Sequence, residues 1–204
     1  MSLYVNKLRL LSVGDDMQKS KPRRLSPENR RAQLLKAALS CYASLGVMRA
    51  GHGDVAKQAG VSTATVFNYF PTRAKLTEAV FSEIYTVIER MFKKYAEAEV
   101  PDEGRLTALS ITFQRLVDEN PDLLKVLLNW SSTFSPEVRP AYLKFQDWAV
   151  KGIHAHSNVS GDNLSDARIV LATSYNYARM KLDGTDPQVR ALYVDRVIEA
   201  LDHP

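Results

Sequence analysis

GDVAKQAGVSTATVFNYF, residues 53–70, carries two short helical registers around a turn. The first spans Asp54 to Ala59 and the second Thr63 to Tyr69, with Gly60-Val61 and Ser62 between them. Ser62 is a favoured N-cap, since its hydroxyl accepts from an otherwise orphaned N–H at a helix start. Gly60 suits a reversal that needs positive φ. Helix, short turn, helix is the helix-turn-helix pattern, whose second helix enters the DNA major groove. Val55, Ala56, Ala59, Val61, Val66 and Phe70 form one apolar stripe facing a small core. Thr63, Ala64, Thr65, Phe67, Asn68 and Tyr69 are then expected to face outward. Small residues at a helix start allow close approach to base edges. Asn pairs bidentately with adenine, and Thr and Tyr hydroxyls suit phosphates.

Working outward, Pro71-Thr72 ends the second helix and caps a third register, in which Leu76, Val80, Ile84, Val87, Ile88 and Met91 stripe a helix over 73–98. Arg73 and Lys75 stand at its N-terminal end, where cations and backbone N–H groups can jointly hold a phosphate. Upstream, Ser26-Pro27 opens a helix to Leu45 with Leu35, Ala38, Leu39 and Tyr42 inward, and Gly46 stops it. Arg30 and Arg31 read as phosphate contacts or solvated charges. His52 is expected to cap or pack locally, and Cys41 to be a small buried hydrophobe.

The stretch VSTATVFNYFPTRAKL resembles the signature of TetR-type transcriptional regulators. RLSPENRRAQLL, GHGDVAKQAGVS and ATVFNYFPTR further resemble the LuxR/HapR-type quorum-sensing regulators within that family. The resemblance covers about residues 20–80, with a weaker echo at LKVLLNWSS and at Glu137-Val138-Arg139-Pro140. It implies DNA contacts from Lys21, Arg23, Arg24, Ser62, Thr63, Ala64, Thr65, Phe67, Asn68, Tyr69, Thr72, Arg73 and Lys75. Asn68 is the expected base reader. Pro22 stands where the subgroup tends to carry another arginine, and Leu127 where it often has Trp.

Charge separates along the chain. Residues 1–75 hold 13 Lys+Arg against 4 Asp+Glu, and residues 76–204 hold 14 against 19. A basic head on an acidic body is the electrostatic footprint of nucleic-acid binding. With the resemblance, this implies three parts: a flexible basic arm over 1–25, a three-helix DNA-binding domain over 26–75, and a helical effector-binding and dimerisation domain over 76–204. The arm's Lys and Arg suit a narrow minor groove.

Beyond Pro101 the pattern is all-α, with helices expected over 102–120, 121–133, 137–156, 165–182 and 187–201, and a polar loop over 158–163. Val189, Leu192, Tyr193, Val197, Ala200 and Leu201 share a face of the last. The resemblance implies homodimerisation through the last two helices, here with Tyr175, Val189, Leu192, Tyr193, Arg196 and Val197. It also implies a pocket for a small apolar effector, for which Ile88, Phe92, Leu109, Phe113, Leu127, Trp130, Tyr142, Gln146 and Ser174 are the candidates. Plain core packing is the alternative for each of them.

Enzymatic readings find no support. There is no Gly-rich phosphate loop and no G-x-S-x-G, and His154 and His156 lie two apart, on different helix faces. No cofactor or metal is expected, and the single cysteine excludes an internal disulfide. No run approaches the roughly 18 apolar residues of a membrane span. A cytoplasmic, homodimeric regulator of double-stranded DNA is the expectation, either quorum-sensing-like or an effector-released local repressor. A helical protein-interaction module is the alternative from another class.

Overall fold

The computed structural model describes residues 25–98, 100–102, 104–157 and 164–201. Among them are nine helices and no strand: α1 (Pro27–Leu45), α2 (His52–Ala59), α3 (Thr63–Tyr69), α4 (Arg73–Ala96), α5 (Arg105–Glu119), α6 (Pro121–Ser131), α7 (Arg139–Ser157), α8 (Ser165–Leu182) and α9 (Pro187–Leu201). The arm residues Lys21, Arg23 and Arg24 and the loop over 158–163 lie outside the described residues.

Local chemistry sets most of the boundaries. The Asn29 amide donates to Ser26 Oγ at 3.2 Å, and Gly46, at φ +87°, ends α1. Pro121 and Pro187 occupy first helical positions, where a missing N–H costs nothing. α2 begins two residues before the expected Asp54, because the Asp54 carboxylate accepts from the Gly51 amide at 2.9 Å and closes the first turn around His52. α5 starts at Arg105 rather than Asp102, since Gly104 sits at φ +100°, outside helical space. α7 starts at Arg139 rather than Glu137. A helix begun earlier would place Pro140 beyond the first turn, where its ring meets the carbonyl four residues back.

α1 corrects the expected inward face. Leu34, Ala37, Ala38, Cys41 and Tyr42 are buried, whereas Leu35 and Leu39 are only partly so. The helix packs on both α2 and α6, so its apolar face is wider and rotated from the predicted stripe. Cys41 is buried, and that burial, with Asp54 nearby, pushes its thiol pKa up.

One apolar core runs from the head into the body. Val55, Val66, Phe70, Leu76 and Val80 belong to it beside Ile84, Leu124, Trp130 and Phe145. At the seam, Trp130 of α6 stacks on Phe81 of α4 at 3.7 Å, and its indole N–H donates to the Val138 carbonyl at 3.2 Å. Asn129 Oδ1 accepts from the Val47 amide at 2.8 Å, joining the turn after α1 to α6. Tyr42 and Thr77 share a 2.8 Å hydroxyl bond, and Arg73 donates to the Met48 carbonyl. Farther along, Gly152 lets α7 approach α4: a Cβ there would lie 2.7 Å from the Phe92 ring.

Candidate nucleic-acid interface and effector cavity

Gly60 adopts φ +66°, and the Val61 amide donates to the Ala56 carbonyl at 3.0 Å. That pair forms a left-handed C-terminal cap, which only a residue without Cβ enters at no steric cost. Ser62 then caps α3, accepting from the Thr65 amide at 3.2 Å, and Phe70 closes it. The result is a seven-residue helix anchored by Val66, which has no exposed surface.

On the outer face Thr63, Ala64, Phe67 and Asn68 are exposed, with Phe67 at 45%. Asn68's carboxamide makes no hydrogen bond among the described residues, so all its donor and acceptor capacity is open. Two of the expected outward residues differ. Thr65 is half-buried, its hydroxyl 2.9 Å from that of Ser62, and Tyr69 is half-buried against the core. The helix is short and lies close to α2, so residues at its flanks are partly covered.

The flanking cations are held in place. Thr72 Oγ1 accepts from the Lys75 amide at 3.2 Å, and Lys75 Nζ lies 2.7 Å from Glu78 Oε2 in an exposed pair. Arg31 places its guanidinium 5.3 Å over the Phe70 ring. Arg30 donates to Gln33, whose amide donates in turn to the Ala59 carbonyl at 3.2 Å, tying α1 to the end of α2. His52 packs locally, as expected: it is buried, and its ring lies parallel to Phe67 at 3.9 Å. The sequence offers no periodic signal for that contact, because it joins two helices through the turn.

In the body an apolar cavity is lined from six helices, α4 to α9. Ile88, Phe92, Leu109, Phe113, Leu127 and Ser174 of the candidate residues border it. Trp130, Tyr142 and Gln146 do not. Trp130 and Tyr142 sit in an aromatic cluster toward the head, their rings 5.7 Å apart edge to face, and Gln146 is half-buried outside the lining. Tyr175 and Val197, expected at a dimer face, are half-buried and border the cavity. α9 turns Val194 and Arg190 into the protein and so brings Val197 with them. Tyr175 accepts from the Tyr142 hydroxyl at 3.4 Å. Burial, then Tyr142 beside it, raises its phenol pKa far above the ordinary value, so it remains neutral.

Reasoning from sequence also missed Ser110 and Gln114, which border the cavity and bond to each other at 3.2 Å. The available signal was a polar i, i+4 pair beside the apolar face of α5. Among the described residues, no charged side chain lines the cavity. On the outside of the last two helices, Ile169, Val189 and Leu192 are exposed at 47%, 53% and 58%. Tyr193 is half-buried, and Arg196 is exposed and paired with Glu199 at 3.1 Å.

The head thus holds a helix-turn-helix and the body an apolar cavity lined from six helices. Residues 34–80 match the profile of the bacterial regulatory proteins, tetR family. The HTH-type transcriptional regulator LuxR of Vibrio harveyi is 33% identical over 129 residues, covering 63% of each chain. The nucleoid occlusion factor SlmA of Aliivibrio fischeri is 28% identical over 110 residues, 53% of this chain and 56% of that one. The match therefore spans less than two thirds of either relative's length. The transcriptional regulator FadR of Bacillus subtilis, solved in complex with stearoyl-CoA, superposes with a TM-score of 0.61 at 21% identity, covering 83% of this chain and 96% of that one. Residues 34–80 thus carry a TetR-type helix-turn-helix segment, the chain is similar over 129 residues to a LuxR-type regulator, and its fold is the one shared by solved TetR-family proteins. Among the described residues, no helix is long and apolar enough to cross a membrane.

Proposed function

We propose that this chain is a homodimeric, sequence-specific transcriptional regulator that reads a pseudo-palindromic operator in the cytoplasm, in the manner of the quorum-sensing regulators it resembles. The capped helix α3 carries this reading: it presents Thr63, Ala64, Phe67 and the uncommitted carboxamide of Asn68 on one exposed face. The basic head attracts the duplex, and Lys21, Arg23 and Arg24 of the arm add minor-groove contacts. Exposed Ile169, Val189 and Leu192 support dimerisation through α8 and α9, with Tyr193 and Arg196 at the margin. Two heads about 34–36 Å apart then meet successive major grooves.

Selection of bound duplexes from a random library at two salt concentrations tests the reading. An enriched palindrome with a steep salt slope supports it. Binding without enrichment rejects sequence-specific regulation, and no salt-dependent binding favours a protein-interaction module.

Two substitutions separate base reading from backbone holding. Asn68→Ala should cost about 1–3 kcal/mol on the selected site and relax the preference at one base-pair position per half-site. Competition with single-mismatch duplexes measures this, and unchanged discrimination would remove Asn68 from base reading. Lys75→Ala should weaken all duplexes alike and reduce the salt slope by about one, because its exposed ion pair with Glu78 exchanges readily for a phosphate. A log–log salt titration shows whether the slope moves.

The cavity supports a second layer, release or modulation by an effector. Its lining is apolar with Ser110, Gln114, Ser174 and Tyr175 as polar anchors, so the ligand is uncharged where it is enclosed. FadR's complex with stearoyl-CoA is the precedent on this fold for a long apolar group.

A further inference from the structure

His52 is a buried polar side chain at the first position of α2, with 8% of its surface exposed. It grips α3 at two places. Its Nε2 lies 2.7 Å from the carbonyl oxygen of Phe70, the residue that closes α3. Its ring lies against Phe67 at 3.9 Å with an interplanar angle of 7°.

The two contacts have distinct chemistry. Carbonyls in the last turn of a helix have no partner within it, and no backbone N–H among the described residues donates to the Phe70 carbonyl. A carbonyl only accepts, so Nε2 carries the proton and satisfies it. The parallel stack acts on a different atom set. Phe67 is 45% exposed on a helix of only seven residues, where a lone aromatic would sample several rotamers. The imidazole behind it is a fixed plate that leaves the opposite ring face and edge to solvent.

We propose that His52 is a positioning residue for DNA recognition: it holds Phe67 in one orientation on the reading face and fixes the C-terminal end of α3. The inference rests on the DNA-binding reading above. His52 makes no phosphate contact itself, since it is buried and its Nε2 is engaged with Phe70. Its effect is preorganisation, which reduces the ordering cost of docking Phe67.

The test uses the full chain and two duplexes, the selected palindrome and a random-sequence control of equal length, with fluorescence anisotropy as readout. His52→Gln keeps a donor for Phe70 and removes the plate. His52→Phe keeps a plate and removes the donor. His52→Gln should weaken the selected duplex about fivefold to tenfold with the control unchanged, as expected for freeing one side chain. His52→Phe should recover most of that loss. In a Phe67→Ala background, His52→Gln should add nothing.

Losses that multiply in the double variant, or equal weakening of both duplexes by His52→Gln, would overturn the proposal and leave His52 a stability residue. Thermal melts by circular dichroism check folding. Should His52→Gln melt below the assay temperature, His52→Phe decides alone: its selected-to-control ratio must fall far less than that of Phe67→Ala. A wild-type chain with no preference for the selected duplex would instead remove the DNA reading beneath the proposal.

Discussion

Trp130→Ala is expected to lower the unfolding free energy by about 3–5 kcal/mol, the range for deleting a buried large aromatic. Trp130 has no exposed surface. Its ring meets Phe81 of α4 at 3.7 Å and, on α7, Phe145 at 5.4 Å and Tyr142 at 5.7 Å, two helices that cannot both move in to fill the gap. The substitution also leaves the Val138 carbonyl without its donor. For a chain of this size the melting temperature should drop by roughly 10–15 °C. Trp130→Phe, which keeps an aromatic against Phe81, should cost about half as much. Urea titrations of both variants would measure this; a loss under about 1 kcal/mol for the alanine variant would mean that the seam between head and body does not depend on this residue.

Phe70→Ala should cost a similar 3–5 kcal/mol, but in one place. Phe70 is 2% exposed beneath Arg31, and the helix-turn-helix around it is too small to bury much other apolar surface. A loss of that size approaches what so small a unit has, so the head should open while α5 to α9 remain folded. Hydrogen exchange is the direct measurement, with protection lost in α1 to α3 and retained in the body. Specific DNA binding should disappear with it. Uniform loss of protection across both parts would show instead that head and body unfold as one unit.

The sequence was most informative where a single residue acts on its own backbone. Ser62 and Pro71 fix both ends of α3, and Gly60 fixes the turn before it, so Thr63–Tyr69 was legible to the residue. α8 and α9 were bounded equally well. Less was legible where several neighbours share one helix. The face of α1 could not be placed because periodicity gives a stripe's direction and not the number of partners it serves. The cavity is harder still, since its lining comes from six helices and nothing local distinguishes Leu127, which borders it, from Trp130, one turn away and outside it. Tyr69 shows the converse limit. Its polar tip suggested an outward role, while its ring is drawn against the core.

The length of α3 has a consequence for the genome that the regulator works in. Seven residues span about 10 Å of helix, the height of about three stacked base pairs. On the proposed dimeric reading, a symmetric pair of such helices would fix about six base pairs, a word that chance repeats roughly once in four thousand, or some hundreds of times in a genome of about a million base pairs. Few of those occurrences can be single-purpose switches. On the proposed reading, which sites are occupied follows from groove shape around the word and from how many copies of the regulator the cell contains, so its abundance can act as the signal.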